Sequence, residues 1–172
     1  QSCCGIERIY IDEKIYDKFI DGFKSVTENY ILGNPLEEKT NLGPVVRMNA
    51  AKFIRTQVTE AVNNGAKNII DTNIFKADDG LNCYVSPSAL IEVNHSMEFM
   101  KEETFGPTVG IMKVKNENDA INLMNDSAYG LTASIWTSDK EFAQSMGPKI
   151  ETGTLFMNRC DYLDPGLAWT GV

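Results

Sequence analysis

The sequence lacks the local signatures of several large enzyme classes. It has no G-x-G-x-x-G turn, no Walker loop, no G-x-S-x-G elbow and no H-E-x-x-H pair. These absences exclude the usual P-loop, serine-hydrolase and zincin designs. Its single histidine, His95, and its cysteines Cys3, Cys4, Cys83 and Cys160, with no C-x-x-C spacing among them, match no common zinc pattern. No metal is expected. No apolar run approaches the roughly 20 residues of a membrane span, and a net charge of −8 without a Lys/Arg block offers no phosphate footprint. Neither a membrane nor a nucleic acid is an expected partner. A disulfide framework does not suit this size and composition, so reduced thiols in a cytoplasmic setting are expected.

What is present is ordinary globular material. Hydrophobic residues make up 42% of the 172, enough for a core without covalent staples, and the length suits one domain. Strand and helix patterns alternate. Arg8 to Ile11 reads as a strand leading into a helix of about 18 residues, with Ile15, Phe19, Phe23 and Val26 at helical spacing. Gly33-Asn34-Pro35 closes it. A second amphipathic helix carries Ala51, Ile54, Val58, Ala61 and Val62, with Gly65 as its stop. Lys67 to Asp71, Cys83 to Val93, Val109 to Val114, Leu131 to Trp136 and Gly153 to Asn158 read as strands. Asn116-x-x-Asp119 and Ser138-Asp139-Lys140-Glu141 read as helix-opening capping boxes, and Trp136 and Phe142 as core. Strands separated by helices of this length predict an α/β fold: a mostly parallel doubly wound sheet flanked by helices.

The remaining candidate reactive group is a thiol. Taken alone, Cys3 and Cys4 read more readily as small buried hydrophobes than as nucleophiles. Their context changes the weighting. Gln1-Ser2-Cys3 followed by Arg8 resembles the Gln-x-Cys segment of the aldehyde dehydrogenase superfamily. Glu103-Thr104-Phe105-Gly106-Pro107 resembles its Glu-x-Phe-Gly-Pro motif, and Asn125 to Ala133 its Asn-x-x-x-Tyr-Gly-Leu stretch. Gly153 to Asn158 resembles its Gly-x-x-x-x-Asn strand, and the connector from Gly33 to Pro44 is also similar. These segments follow one another in the family's order along nearly the whole chain.

The resemblance implies a single thiol-bearing catalytic domain over residues 1–172 that works with NAD or NADP on a small-molecule aldehyde. Cys3 would be the nucleophile, attacking the aldehyde carbon to give a thiohemiacetal and then a thioester. Cys4 would pack. Glu103 would hold the nicotinamide-ribose hydroxyls, Phe105 would lie beside the nicotinamide, and Asn158 would brace the catalytic loop. The residues' own alternatives are a solvated surface acid for Glu103 and a strand-ending Asn for Asn158. Arg8 reads as structural. Tyr162, Leu163 and Trp169 are candidates for an aldehyde entrance or for a partner-facing patch. Leu163-Asp164-Pro165-Gly166 departs from the family's Pro-Phe-Gly-Gly stretch.

The resemblance also implies missing parts. The family's dinucleotide domain, its general-base Glu in Glu-Leu-Gly-Gly and its oxyanion-hole Asn would precede residue 1, and its oligomerisation strand would follow residue 172. The expectation is a catalytic segment of a homo-oligomeric enzyme that is inactive by itself. Two alternatives stay open at this point: a non-catalytic α/β interaction domain derived from that family, and a thiol enzyme or redox sensor working without nicotinamide.

Overall fold

Successive side chains of a strand point to opposite faces, so a sheet covered on both sides carries two interleaved sets of apolar residues. The computed structural model, which describes residues 1–160 and 165–172, has this arrangement in its first part. β1 (Arg8–Asp12), α1 (Tyr16–Glu28), α2 (Met48–Asn63), β2 (Lys67–Asn68), β3 (Ser88–Ile91) and β4 (Thr108–Val114) form a four-stranded sheet in the order β1-β4-β3-β2, with the two helices packed on it. β1 and β3 both run parallel to β4, with Arg8 opposite Gly110 and Ser88 opposite Thr108, and only β2 is antiparallel.

The two faces separate cleanly. Ile9, Ile11, Ala89, Val109 and Ile111 pack with Tyr16, Phe19, Ile20 and Phe23 of α1. Their neighbours Tyr10, Leu90 and Met112 pack on the other side with Val58 and Ala61 of α2 and with Phe99 and Met100. Helices therefore cover both faces of a mostly parallel sheet, the α/β architecture the alternation of patterns predicted. Leu90, Met100, Ile111 and Ile54 are fully buried, each contributing about 2 kcal/mol of transfer free energy. Gly110 lies on the α2 side, where a Cβ would collide with Met100 Sδ.

Several expected elements are shorter, for a common reason: side chains satisfy the backbone where a neighbouring strand would otherwise do so. Asn68 Oδ1 accepts from Ala89 N at 3.2 Å and Ile70 N at 3.1 Å, which ends β2 after two residues. Before β3, one guanidinium nitrogen of Arg55 donates to the Asn82 and Tyr84 carbonyls and to Asp78, and Asp78 accepts from Ser86 N at 2.7 Å. The strand expected from Cys83 thus begins only at Ser88. Burial pushes the Asp78 carboxyl up, but bonds from the Ser86 and Gly80 amides and from Arg55 outweigh it and lower its pKa. In α1 the inward stripe runs through the half-buried Phe19 and Phe23 to the buried Thr27, while Ile15 and Val26 are 56% and 65% exposed. Val62 is likewise exposed on α2, which Gly65 follows in the left-handed conformation at φ +105°.

Residues 115–172 group into a second compact unit. There α3 (Glu117–Asn125) precedes β5 (Thr132–Ile135), α4 (Lys140–Met146) and β6 (Thr154–Met157); β5 and β6 pair in parallel across the α4 crossover. Asn116 caps α3 through Asp119 N, as its spacing predicts. The cap of α4 is Asp139, whose carboxylate accepts from Phe142 N at 2.9 Å, one residue beyond the expected Ser138. An ionised acceptor suits the positive end of the helix better than a hydroxyl. Trp136 is 65% exposed rather than core; among the described residues the buried hydrophobics of this unit are Ala143 and Met146.

Candidate active site

The cysteine segment precedes β1 and is held from both ends. Gln1 Oε1 accepts from Val46 N at 2.7 Å, and Gly5 N closes a turn onto Ser2 O at 3.0 Å. Within that turn Cys3 is exposed, whereas Cys4 is half-buried with its Sγ 3.0 Å from Ser2 Oγ. Three residues past Cys4, the Glu7 carbonyl accepts from Gly110 N and continues the β1–β4 ladder. This fixes where the Glu7 side chain starts.

That side chain reaches the loop carrying the second motif. Glu7 Oε2 accepts from Thr104 N and Oε1 from Phe105 N, both at 2.8 Å. The loop is pinned on either side as well. Before it, Met100 is buried in the core. After it, Gly106 lies so close to α2 that a Cβ would come within 2.6 Å of Ile54 Cδ1, and Pro107 O accepts from Ser88 N at 2.9 Å. Phe105 adopts φ +51°, in the region that non-glycine residues rarely occupy. Thr104 is buried, Phe105 half-buried and Glu103 exposed. Desolvation, then the charges of Glu7 and Glu102, raise the Glu103 pKa above the ordinary glutamate value. Among the described residues the Glu103 carboxylate has no hydrogen-bonding or ionic partner. Three of the residues marked by sequence, Cys3, Glu103 and Phe105, therefore share the first unit.

Asn158 belongs to the second unit, at the end of β6 and at φ +55°. Its Oδ1 accepts from Thr137 N at 2.9 Å and its Nδ2 donates to Thr137 O at 2.8 Å, so both side-chain groups are spent on the chain after β5. Trp169 is half-buried, while Tyr162 and Leu163 lie outside the described residues. His95 sits in a loop, with Nε2 2.9 Å from Tyr10 Oη. Glu7 was not singled out by sequence reasoning, which weighed Arg8 beside it. A Glu at the start of a strand carries no local mark of partners 97 and 98 residues away.

A groove of about 600 Å³ in the first unit is lined by α2 residues, among them Met48, Lys52 and Arg55, and by Gly80 and Leu81, and includes none of the motif residues. Among the described residues no cluster of three or more His, Cys, Asp and Glu could hold a metal ion, and no helix is long and apolar enough to cross a membrane.

Comparison with known proteins gives the family and the fold. The family model described as "Aldehyde dehydrogenase family" matches residues 1–172. A 3-sulfolactaldehyde dehydrogenase of Priestia aryabhattai is 36% identical over 158 residues, covering 92% of this chain and 32% of that protein. The structure of succinic semialdehyde dehydrogenase from Streptococcus pyogenes, solved with NADP+, superposes with a TM-score of 0.91 at 30% identity, over 100% of this chain and 37% of that one. Betaine aldehyde dehydrogenase from Staphylococcus aureus, solved with NAD+, gives 0.87 at 27% identity, over 96% and 33%. The chain spans about a third of the length of the relatives it matches. With a match along its full length and the same fold, the chain belongs to the aldehyde dehydrogenase family.

Proposed function

We propose that this chain supplies the nucleophile and a cofactor-ribose ligand of an NAD(P)-dependent oxidation of an aldehyde to a carboxylic acid. The observation that carries the reading is the exposed carboxylate of Glu103, unpartnered among the described residues, on a loop anchored at both ends, in the same unit as the exposed Cys3 thiol. A carboxylate only accepts, and a ribose diol brings two hydroxyl donors, so the group present fits the group implied. When bound, the nicotinamide cofactor supplies the hydride acceptor.

The rest is the work of the chain's own residues. The Cys3 thiolate forms a C–S bond to the aldehyde carbon, and the Cys3 backbone N–H donates to the oxygen that gains charge. After oxidation the thioester is cleaved by water, which frees the thiol. Phe105, held by its amide, presents its ring beside the nicotinamide. Asn158 spends both its side-chain groups on Thr137 and so holds the end of β6 to the chain after β5. The sequence contains no Glu-Leu-Gly-Gly stretch, and a missing general base costs about 100- to 10,000-fold in rate. Residues 1–172 alone are therefore expected to turn over negligibly.

Thiol labelling of the chain at neutral pH, with mass mapping and with or without lactaldehyde, tests the reading. Selective modification of Cys3, slowed by the aldehyde, is the expected result. Labelling spread evenly over Cys3, Cys4, Cys83 and Cys160, indifferent to aldehyde, would overturn it.

A further inference from the structure

The contact least accounted for by the proposed chemistry is the one between Glu7 and the Glu103 loop. We infer that Glu7 is a positioning residue: its carboxylate, by accepting the Thr104 and Phe105 amides together, holds Phe105 in the left-handed conformation and so orients the Glu103 carboxylate toward the cofactor ribose. The orienting role rests on Glu103 being the ribose ligand proposed above, but the clamp itself is read from the geometry alone.

Phe105 is the strained element of the loop. At φ +51° a non-glycine residue persists only where its surroundings over-determine it. Two charge-assisted bonds of 2.8 Å from consecutive amides to one carboxylate fix the peptide that enters this rotation, and Gly106 packed against Ile54 fixes the one that leaves it. Each amide has its own carboxylate oxygen, and a neutral amide in the same place would lose one of the two acceptors, because its nitrogen only donates. Glu7 cannot drift to relieve the strain, since its own carbonyl is locked to Gly110 N at 3.0 Å. Gly106 against Ile54 blocks movement from the far side.

The same carboxylate acts on Glu103 through space. After desolvation, Glu7 is the next contributor to the raised Glu103 pKa, ahead of Glu102. A group that orients the ribose ligand therefore also makes the ionised ligand more costly by itself and more in need of hydrogen-bond donors. The clamp links the strand that follows Cys3 to the cofactor loop, so the nucleophile segment and the ribose ligand are set in register by a single side chain.

Backbone and carboxyl NMR through a pH titration of the whole chain tests this, with Glu7→Gln and Glu7→Asp beside the wild type. In the wild type, the Thr104 and Phe105 amide protons should move with one shared midpoint. In Glu7→Gln both steps should vanish and the Glu103 midpoint should fall, and Glu7→Asp should restore both effects in part. Glu7→Gln that keeps its fold, its Phe105 shifts and its Glu103 midpoint would overturn the clamp. If Glu7→Gln unfolds, Glu7→Asp decides: separate Thr104 and Phe105 midpoints overturn the clamp, and a shared one supports it.

In the natural protein, the KM for NAD+ or NADP+ should rise about tenfold in Glu7→Gln, with kcat for the aldehyde changing less. An unchanged KM would overturn the orienting role. If the wild type neither oxidises aldehydes nor protects Cys3, the proposed function fails instead, while the titration still decides whether Glu7 is a clamp.

Discussion

The two units hold their loops in different ways. In residues 1–114 two long connections are tied by charged groups: Asp78 with Arg55 at 2.7 Å, and Glu7 with two amides. In residues 115–172 neutral amides do this work. Asn125 donates to Lys149 O and accepts from Glu151 N, and Asn158 brackets Thr137. The cores differ as well among the described residues, with three apolar clusters in the first unit against Ala143 and Met146 in the second. Phe105 and Asn158 condense the contrast. Both are non-glycine residues at positive φ, yet Phe105 is held by a distant carboxylate and Asn158 by its own side chain. A charged clamp brings pH sensitivity and a field at the site; an amide clamp brings geometry alone.

The cores should show the largest difference between the units. Leu90→Ala, at a fully buried position between sheet and α2, should cost about 2 to 5 kcal/mol, and Met146→Ala about 2 kcal/mol because a thinner surround collapses more easily. Denaturant unfolding of both variants measures the difference; equal losses would mean the two cores are packed alike. Next in size is Asp78→Ala, which leaves Arg55 without its carboxylate partner and the Ser86 and Gly80 amides without an acceptor. It should cost about 2 to 4 kcal/mol by the same measurement, and a loss as small as that of an exposed ion pair would show that Asp78 does not tie this loop.

The charge carries a sign. Because the folded pKa of Asp78 lies below its ordinary value, its contribution is complete above the ordinary aspartate range and is lost as pH falls through that range toward the folded value. Stability of the wild type should therefore fall between about pH 5 and pH 3 more steeply than that of Asp78→Asn. Parallel curves for the two would sink the assignment.

Smaller effects separate the two left-handed residues. Asn158→Gly removes the conformational strain but also two hydrogen bonds, for a net loss of about 1 to 2 kcal/mol. Phe105→Gly removes the strain and leaves the Glu7 bonds to the backbone in place, so stability should change by less than about 1 kcal/mol. Thermal unfolding of the pair ranks them, and a larger loss at Phe105 would mean that its ring, rather than its backbone amide, is what the fold depends on.

Much of this was legible residue by residue. Asn116 three positions before Asp119 announced its cap, and Gly65 announced the end of α2. The strands at Arg8 and Val109 stood out as apolar runs bounded by turns. Val26 and Trp136 misled because helical spacing and aromatic character say which residues can be buried, while burial itself depends on what packs against them. The strand expected from Cys83 was cut short by Arg55, whose reach across the chain no local pattern records. Among the residues proposed for function, Cys3, Glu103, Phe105 and Asn158 carried motif context, and Glu7 carried none.

Local sequence was enough for the alternation that puts Ile9 and Tyr10 on opposite faces of a sheet, for the helix caps, and for the motif residues of the family, because each depends on neighbours a few positions apart. The meeting of Glu7 with Thr104 and Phe105, and the positive φ at which Phe105 is held, came from the folded arrangement alone. Such contacts form when β1 and β4 close side by side, and the free energy that selects them comes from burying both faces of the sheet rather than from the residues in contact.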